Sequence, residues 1–167
     1  MTTLYVDNIA PNLQSKISAP NLQLPSGSVL QVVESNMSGD GIFSTSSTGF
    51  VDVGLSASIT PTSTSSKILV RFNAGGVSRS ATANEALRLQ IVRGATSIYG
   101  SANIIYSTSS TSFEDFCLAY EVLDSPSTTS ATTYKIQMRT RTGNTCSMNT
   151  GSATNTFAVL TLMEIAG

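Results

Sequence analysis

Apolar and polar residues alternate one by one through several stretches of this chain, the period of strands with one face buried and one face wet. The stretch from Phe113 to Arg141 shows it best. Its first arm, FEDFCLAYEVL, ends at Leu123. A turn, DSPSTTSATT, follows, with Pro126 setting a bend and Ser and Thr supplying local backbone acceptors. In the second arm Tyr134, Ile136 and Met138 alternate with Lys135, Gln137 and Arg139. A helix would scatter those apolar residues around its circumference. The pattern predicts strand, turn, strand: a hairpin that needs more sheet beside it and a second layer to pack on.

The rest of the chain supplies that material. Val29–Val33 reads as a short strand, followed by the loop SNMSGDGIFSTSST. Phe50–Ile59 alternates through Val51, Val53, Leu55, Ala57 and Ile59. KILVRFNAG, from Lys67, puts Ile68, Val70, Phe72 and Ala74 on one face, and Gly75-Gly76 is expected to break it. Leu87, Leu89 and Ile91 face inward from the next strand. Shorter strands are expected near Ser97–Tyr99 and Asn103–Tyr106. RTGNTCSMNTGSATN reads as a loop and TFAVLTLMEIAG as the last strand. That strand is apolar on both faces, with Phe157, Val159 and Ile165 against Ala158, Leu160 and Leu162. It is expected to be buried from both sides, in the middle of a sandwich or at a subunit interface. About eight strands, no convincing helix and loops of varied length predict an all-β fold, an antiparallel jelly-roll sandwich.

Residues 1–27 have a different texture. Ala10-Pro11-Asn12-Leu13-Gln14 recurs as Ala19-Pro20-Asn21-Leu22-Gln23. Leu4, Val6, Ile9, Leu13, Ile17, Leu22 and Leu24 are too sparse to form a core, and Pro11, Pro20 and Pro25 exclude a helix and disfavour a central strand. The segment reads as an extended arm that buries its apolar side chains against something else, ahead of a sandwich head over 28–167. A second repeat, Ser44–Phe50 and Ser107–Phe113, opens two of the long strands with hydroxyl-rich loops.

Composition sharpens the class. In 167 residues, charged side chains are only 11 % while hydrophobic ones are 40 %, which argues against disorder. Ser and Thr make up roughly 30 %, so the wet strand faces carry hydroxyls more than charges. A net charge of −1 implies no general affinity for nucleic acid. The N-terminus lacks the pattern of a signal peptide, and no segment approaches the ~20 apolar residues of a membrane span. Cys117 is expected to be a small buried residue on a strand, and Cys146 to lie in a loop. A bridge between them is disfavoured, since a chain without a secretion signal is made in a reducing compartment.

Candidate chemistry is sparse. The chain has no histidine, which removes the commonest general base and every Ser-His or Cys-His pair. No phosphate-binding glycine loop is present. Glu114 and Asp115 are neighbours on a strand and point to opposite faces. Asp40, in its SGDG turn, lacks the companion acids of a calcium loop. No catalytic residue, metal site or cofactor is expected. Lys135, Arg139 and Arg141 form a basic row that could meet an anionic ligand, although a solvated face is the commoner meaning of such a row.

Five stretches together carry a resemblance: the opening TLYVDNI, GSVLQVV, TPTSTSSKILV, LDSPSTTSATTYKIQ and the closing MEIAG. The chain resembles small virion proteins of tailed bacteriophages with a jelly-roll head like that of the tumour-necrosis-factor superfamily. The resemblance implies a non-enzymatic homotrimer on the exterior of a phage particle, assembled in the host cytoplasm. Its partners would be its own copies and the major capsid protein. Such heads serve as capsid decoration (cement) proteins or at tail-fibre tips, where the ligand would be a host surface glycan. Twenty-seven residues cannot supply a fibre shaft and a tail-attachment domain, so the decoration role is the expectation. The arm residues Leu4 to Leu24 would then grip the shell. Phe157, Val159, Leu160, Leu162 and Ile165 would line a trimer interface or the adjacent core.

Overall fold

The computed structural model describes residues 24–38, 41–100, 103–106, 108–110, 113–149 and 157–167, with backbone only for Ser38, Phe113, Glu114, Asp115 and Phe157. Every regular element among them is a strand: β1 (Val29–Ser38), β2 (Phe43–Thr45), β3 (Val51–Ile59), β4 (Lys67–Arg79), β5 (Leu87–Arg93), β6 (Thr96–Gly100), β7 (Phe113–Asp124), β8 (Thr132–Thr140), β9 (Cys146–Met148) and β10 (Phe157–Ile165). All pairings are antiparallel and they nest. β5 pairs with β6, β4 with β7, β3 with β8 and β1 with β10. This is one long hairpin rolled into two sheets, the jelly-roll arrangement. One sheet runs β7-β4-β10-β1, with β9 and β2 extending it beyond the end of β10. The other runs β3-β8-β5-β6.

The inward face of each strand follows the alternation in the sequence. Leu55 and Ile59 of β3, Ile68, Val70 and Phe72 of β4, Leu89 and Ile91 of β5, Tyr134, Ile136 and Met138 of β8, and Leu160 and Leu162 of β10 fill the space between the sheets. Each such side chain contributes about 1.5–3 kcal/mol by leaving water. The partner positions on β3 and β8 (Ser56, Ser58, Lys135, Gln137) face outward.

Six local expectations are corrected. The stretch 113–141 is not a hairpin: β7 pairs with β4 in one sheet and β8 with β3 and β5 in the other. Its turn is a corner that carries the chain across the sandwich. Two-fold alternation is the same whether the next strand pairs or crosses, so periodicity could not separate the two. Gly75-Gly76 does not end β4. Gly76, at φ 56°, sits in a bulge between Ala74 and Val77, after which β4 continues to Arg79 beside β9. β1 extends to Ser38, and the loop after it contains β2. Asn103–Tyr106 is no strand; it contributes one bridge, Ile104 to Leu87. The cysteines exchange roles: Cys117 is exposed on β7 and Cys146 is buried on the short strand β9, both as free thiols. Finally, β10 is not covered from both sides within one chain, which corrects its placement in the middle of the sandwich. Ala158, Leu160 and Leu162 are in the core, while Val159, Met163 and Ile165 are only partly covered.

Candidate functional site

The register of β1, β10, β4 and β7 composes the outer face of their sheet row by row. Val32 lies opposite Met163, Met163 opposite Leu69, and Leu69 opposite Leu123. Four apolar side chains thus cross all four strands, with Val29 and Ile165 beside them. Val32 and Leu123, at the two edges, are 56 % and 52 % exposed. The row two residues on is mixed: Glu34, Thr161, Arg71 and Glu121, with Arg71 Nε 2.6 Å from Glu121 Oε1. Beyond it the side chains become small. Asn73, Gly75, Cys117, Ala119 and Val159 line a shallow hollow of about 320 Å³ on the same face.

The outer face of the other sheet is polar and already engaged with itself. Asp52 accepts hydrogen bonds from Gln137 (2.6 Å) and Lys135 (3.1 Å), which hold its carboxyl below the usual range. Gln90 donates to Gln137, and Ser58 bonds Thr133 at 2.7 Å. Here the predicted basic row is dispersed. Lys135 pairs with Asp52. Arg139 donates to the Thr48 carbonyl and stacks 5.0 Å from the Phe50 ring centre. Arg141 lies past the end of β8, donates to the Asn84 carbonyl and stacks over Tyr106. Each cation has internal partners, and nothing aligns the three toward a common ligand.

Two buried carboxylates tie the ends of the sandwich. Glu85 accepts from the backbone N–H groups of Ala86 (2.8 Å), Arg141 (2.8 Å), Thr142 (3.0 Å) and Asn144 (2.9 Å), and from the Thr142 hydroxyl. Burial pushes its pKa up, but these donors outweigh that and bring it to about 2. At the other end Glu164 accepts from Gln31 Nε2 (2.6 Å), the Thr62 N–H (2.6 Å) and the Thr62 hydroxyl (2.7 Å), which lower its pKa against the upward push of burial. Also at that end, Arg93 and the Tyr134 hydroxyl both donate to Asp124, closing the corner between β7 and β8. Burial, then Asp124, raises the Tyr134 pKa. These carboxylates accept from the protein's own donors and serve as loop ties. The sequence alone does not single out Glu85, Glu164 and Asp124, because each has a partner distant in the chain: Arg93 lies 31 positions from Asp124, Arg141 lies 56 from Glu85 and Gln31 lies 133 from Glu164. The one local signal was an acid placed on the apolar parity of a strand, at Glu164.

Leu4, Val6, Ile9, Leu13, Ile17 and Leu22 lie outside the described residues. Leu24 is exposed and, with Leu30, Ala166 and Gly167, lines a groove of about 440 Å³ where the chain enters β1. Val159 and Ile165 join the apolar outer face, whereas Leu160 and Leu162 belong to the core. Among the described residues no three His, Cys, Asp or Glu come together as a metal site, and no helix is long and apolar enough to cross a membrane.

No family model matches the chain, and no curated protein matches it. Among solved structures it is similar to the infectious bursal disease virus VP2 subviral particle at 14 % identity, with a TM-score of 0.44 over 91 % of this chain and 42 % of that one. It is similar to the Gt strain of that virus at 14 % identity, with a TM-score of 0.45 and the same coverage. It is also similar to T=1 particles derived from the virus, at 15 % identity and a TM-score of 0.44 over 91 % and 41 % of the two chains. The chain therefore spans about two-fifths of the length of the structures it matches.

Proposed function

We propose that this protein is a non-enzymatic virion structural protein, a homotrimer that decorates the outside of a bacteriophage capsid and stabilises the shell. The observation that carries the reading is the apolar strip Val32–Met163–Leu69–Leu123 on an otherwise complete sandwich. A contiguous exposed apolar row of this kind marks a surface that works by association. The resemblance of TSSKILV and LDSPSTTSATTYKIQ to phage virion proteins gives the direction. In this reading the arm, residues 1–27, holds the trimer to the major capsid protein. Its spaced Leu, Val and Ile side chains would act together across three subunits through avidity. A tail-fibre tip would need a receptor site. Its best candidate, the row Lys135, Arg139 and Arg141, is occupied by internal partners, so no observation favours a host glycan there.

Electron cryomicroscopy of particles carrying the protein tests this: trimers should stand across the shell, and density confined to the tail would overturn the decoration role. The core side chains among the described residues all lie beyond residue 24. The truncated protein should keep its strand signal in circular dichroism and lose binding to undecorated particles.

A further inference from the structure

The small sheet carries one spot where charge is unbalanced. Arg71 pairs with Glu121, Arg93 with Asp124 and Lys135 with Asp52. Arg88, Arg139 and Arg141 have no carboxylate partner among the described residues, and strand register gathers these three. Arg88 lies opposite Arg139 across β5 and β8. Opposed residues of an antiparallel pair root their side chains about 5 Å apart, and like charges set there repel. Arg141 follows Arg139 by two positions, about 7 Å further on, so it keeps the same outward parity. Its backbone N–H bonds the Ala86 carbonyl, which holds it beside the chain entering β5. The predicted basic row had Lys135 as its third member. Asp52 neutralises Lys135, and β5 supplies Arg88 in its place.

The three guanidinium groups bond only neutral acceptors. Arg88 Nε donates to Asn103 Oδ1 (2.8 Å), Arg139 Nη1 to the Thr48 carbonyl (2.9 Å) and Arg141 Nη1 to the Asn84 carbonyl (2.6 Å). Such acceptors leave the positive charge in place. They also draw the opposed pair apart: Asn103 lies on the β6 side of β5, and Thr48 and Phe50 lie on the β3 side of β8. Each guanidinium has five N–H donors, so most of them are left over. Arg139 Nε is buried and makes no hydrogen bond, so this side chain gives up little by turning toward an anion. We propose that Arg88, Arg139 and Arg141 form a binding site for a phosphate group, free or carried as a monoester. Near neutral pH such a group carries close to two negative charges on three terminal oxygens. It can therefore take a forked donor from each of three arginines, which a carboxylate with one charge and two oxygens cannot. An anion between Arg88 and Arg139 turns their repulsion into a shared attraction. The site lies at the Glu85 end of the sandwich, away from the groove at Leu24 where the arm joins.

Calorimetric titration of the full-length protein with sodium phosphate, in a low-salt buffer at pH 7.5, tests this. Phosphate should bind, and Arg88→Gln or Arg139→Gln should weaken binding at least about ten-fold. Arg88→Lys keeps the charge but loses the fork, and should fall between wild type and Arg88→Gln. Lys135→Ala, outside the triangle, should stay within about two-fold of wild type. Thermal unfolding gives a second readout. Without phosphate, Arg88→Gln should melt no lower than wild type, because it relieves an opposed pair of like charges. With phosphate, the wild type should melt higher and the variant should not move. Glucose 6-phosphate binding as tightly as the free ion would place the ligand on a larger molecule, whereas binding of the free ion alone would identify inorganic phosphate; both support the site. Phosphate acting no more strongly than chloride at equal ionic strength would overturn it, as would acetate binding equally well. Lys135→Ala weakening phosphate as much as Arg88→Gln would show diffuse attraction in place of a site. Arg88→Gln melting lower with phosphate binding intact would reduce Arg88 to a tie for Asn103, which also rejects the proposal.

Discussion

The two outer faces of the sandwich are built from strands of the same period and nearly the same length, yet they are opposites. On β8 the outward residues Thr133, Lys135, Gln137 and Arg139 all find partners on their own sheet or in adjoining loops. On β7 the outward residues from Cys117 to Leu123 include one ion pair, Glu121 with Arg71, amid apolar side chains. A face whose polar groups bond one another is content in water. A face of Val, Leu and Met in cross-strand register is stabilised only by something laid over it. Strand periodicity alone makes these faces alike; the chemistry of their outward residues sets them apart.

The contrast presumes that the two sheets move as one body, and its hardest test is the tie between them. Glu85 sits on the loop joining β4 to β5 and holds the loop after β8. Its folded pKa is about 2 against 4.5 in the free side chain. A depressed carboxylate stabilises fully above about pH 4.5, and that stabilisation is lost as pH falls from there towards 2. The shift corresponds to roughly 3 kcal/mol. Glu85→Gln should therefore cost on the order of 2–3 kcal/mol in urea unfolding at pH 7. It should also flatten the loss of stability between pH 4.5 and 2. An unchanged acid profile would show that the tie does not hold the sheets.

A middle-sized effect separates buried from exposed thiol. Cys146→Ser should cost about 1–3 kcal/mol, because it places a hydroxyl in a fully buried position. Cys117→Ser in the dissociated head should stay within about 0.5 kcal/mol. Equal costs for the two in a monomeric variant would erase the difference between the faces at that position.

The smallest effect lies on the polar face. The Lys135–Asp52 pair is largely exposed, so Lys135→Ala should change stability by less than about 1 kcal/mol, with no change in light-scattering mass. A large loss, or a change in that mass, would mean that the polar face is an interface.

Much of the fold was legible from local pattern alone. The inward sets Val53–Leu55–Ala57–Ile59, Ile68–Val70–Phe72–Ala74, Leu87–Leu89–Ile91 and Tyr134–Ile136–Met138 are consecutive alternations, and each became core. Strand period is a property of neighbouring residues, so neighbouring residues suffice to read it. The absence of histidine likewise excluded several chemistries before any fold was known.

Pairing and burial were decided elsewhere. Whether β7 folds back on β8 or crosses to the other sheet depends on which partner the remaining strands offer each arm, and β4 and β3 are far away in sequence. β9 and β2 pair with each other across a separation of about a hundred residues, so their three-residue runs look like loop when read alone. The same distance hid the swap of the cysteines: Cys146 is fully buried on a strand that pairs with β2 and β4, both far away in the chain. Glu85 reads as a surface acid until the loop after β8 closes around it. The sequence determined which side of each strand turns inward; only the tertiary structure decided which strands share a sheet, and hence which outward side chains stand in one row. The apolar strip is such a row, assembled from four strands by register, and no local window of the chain contains it.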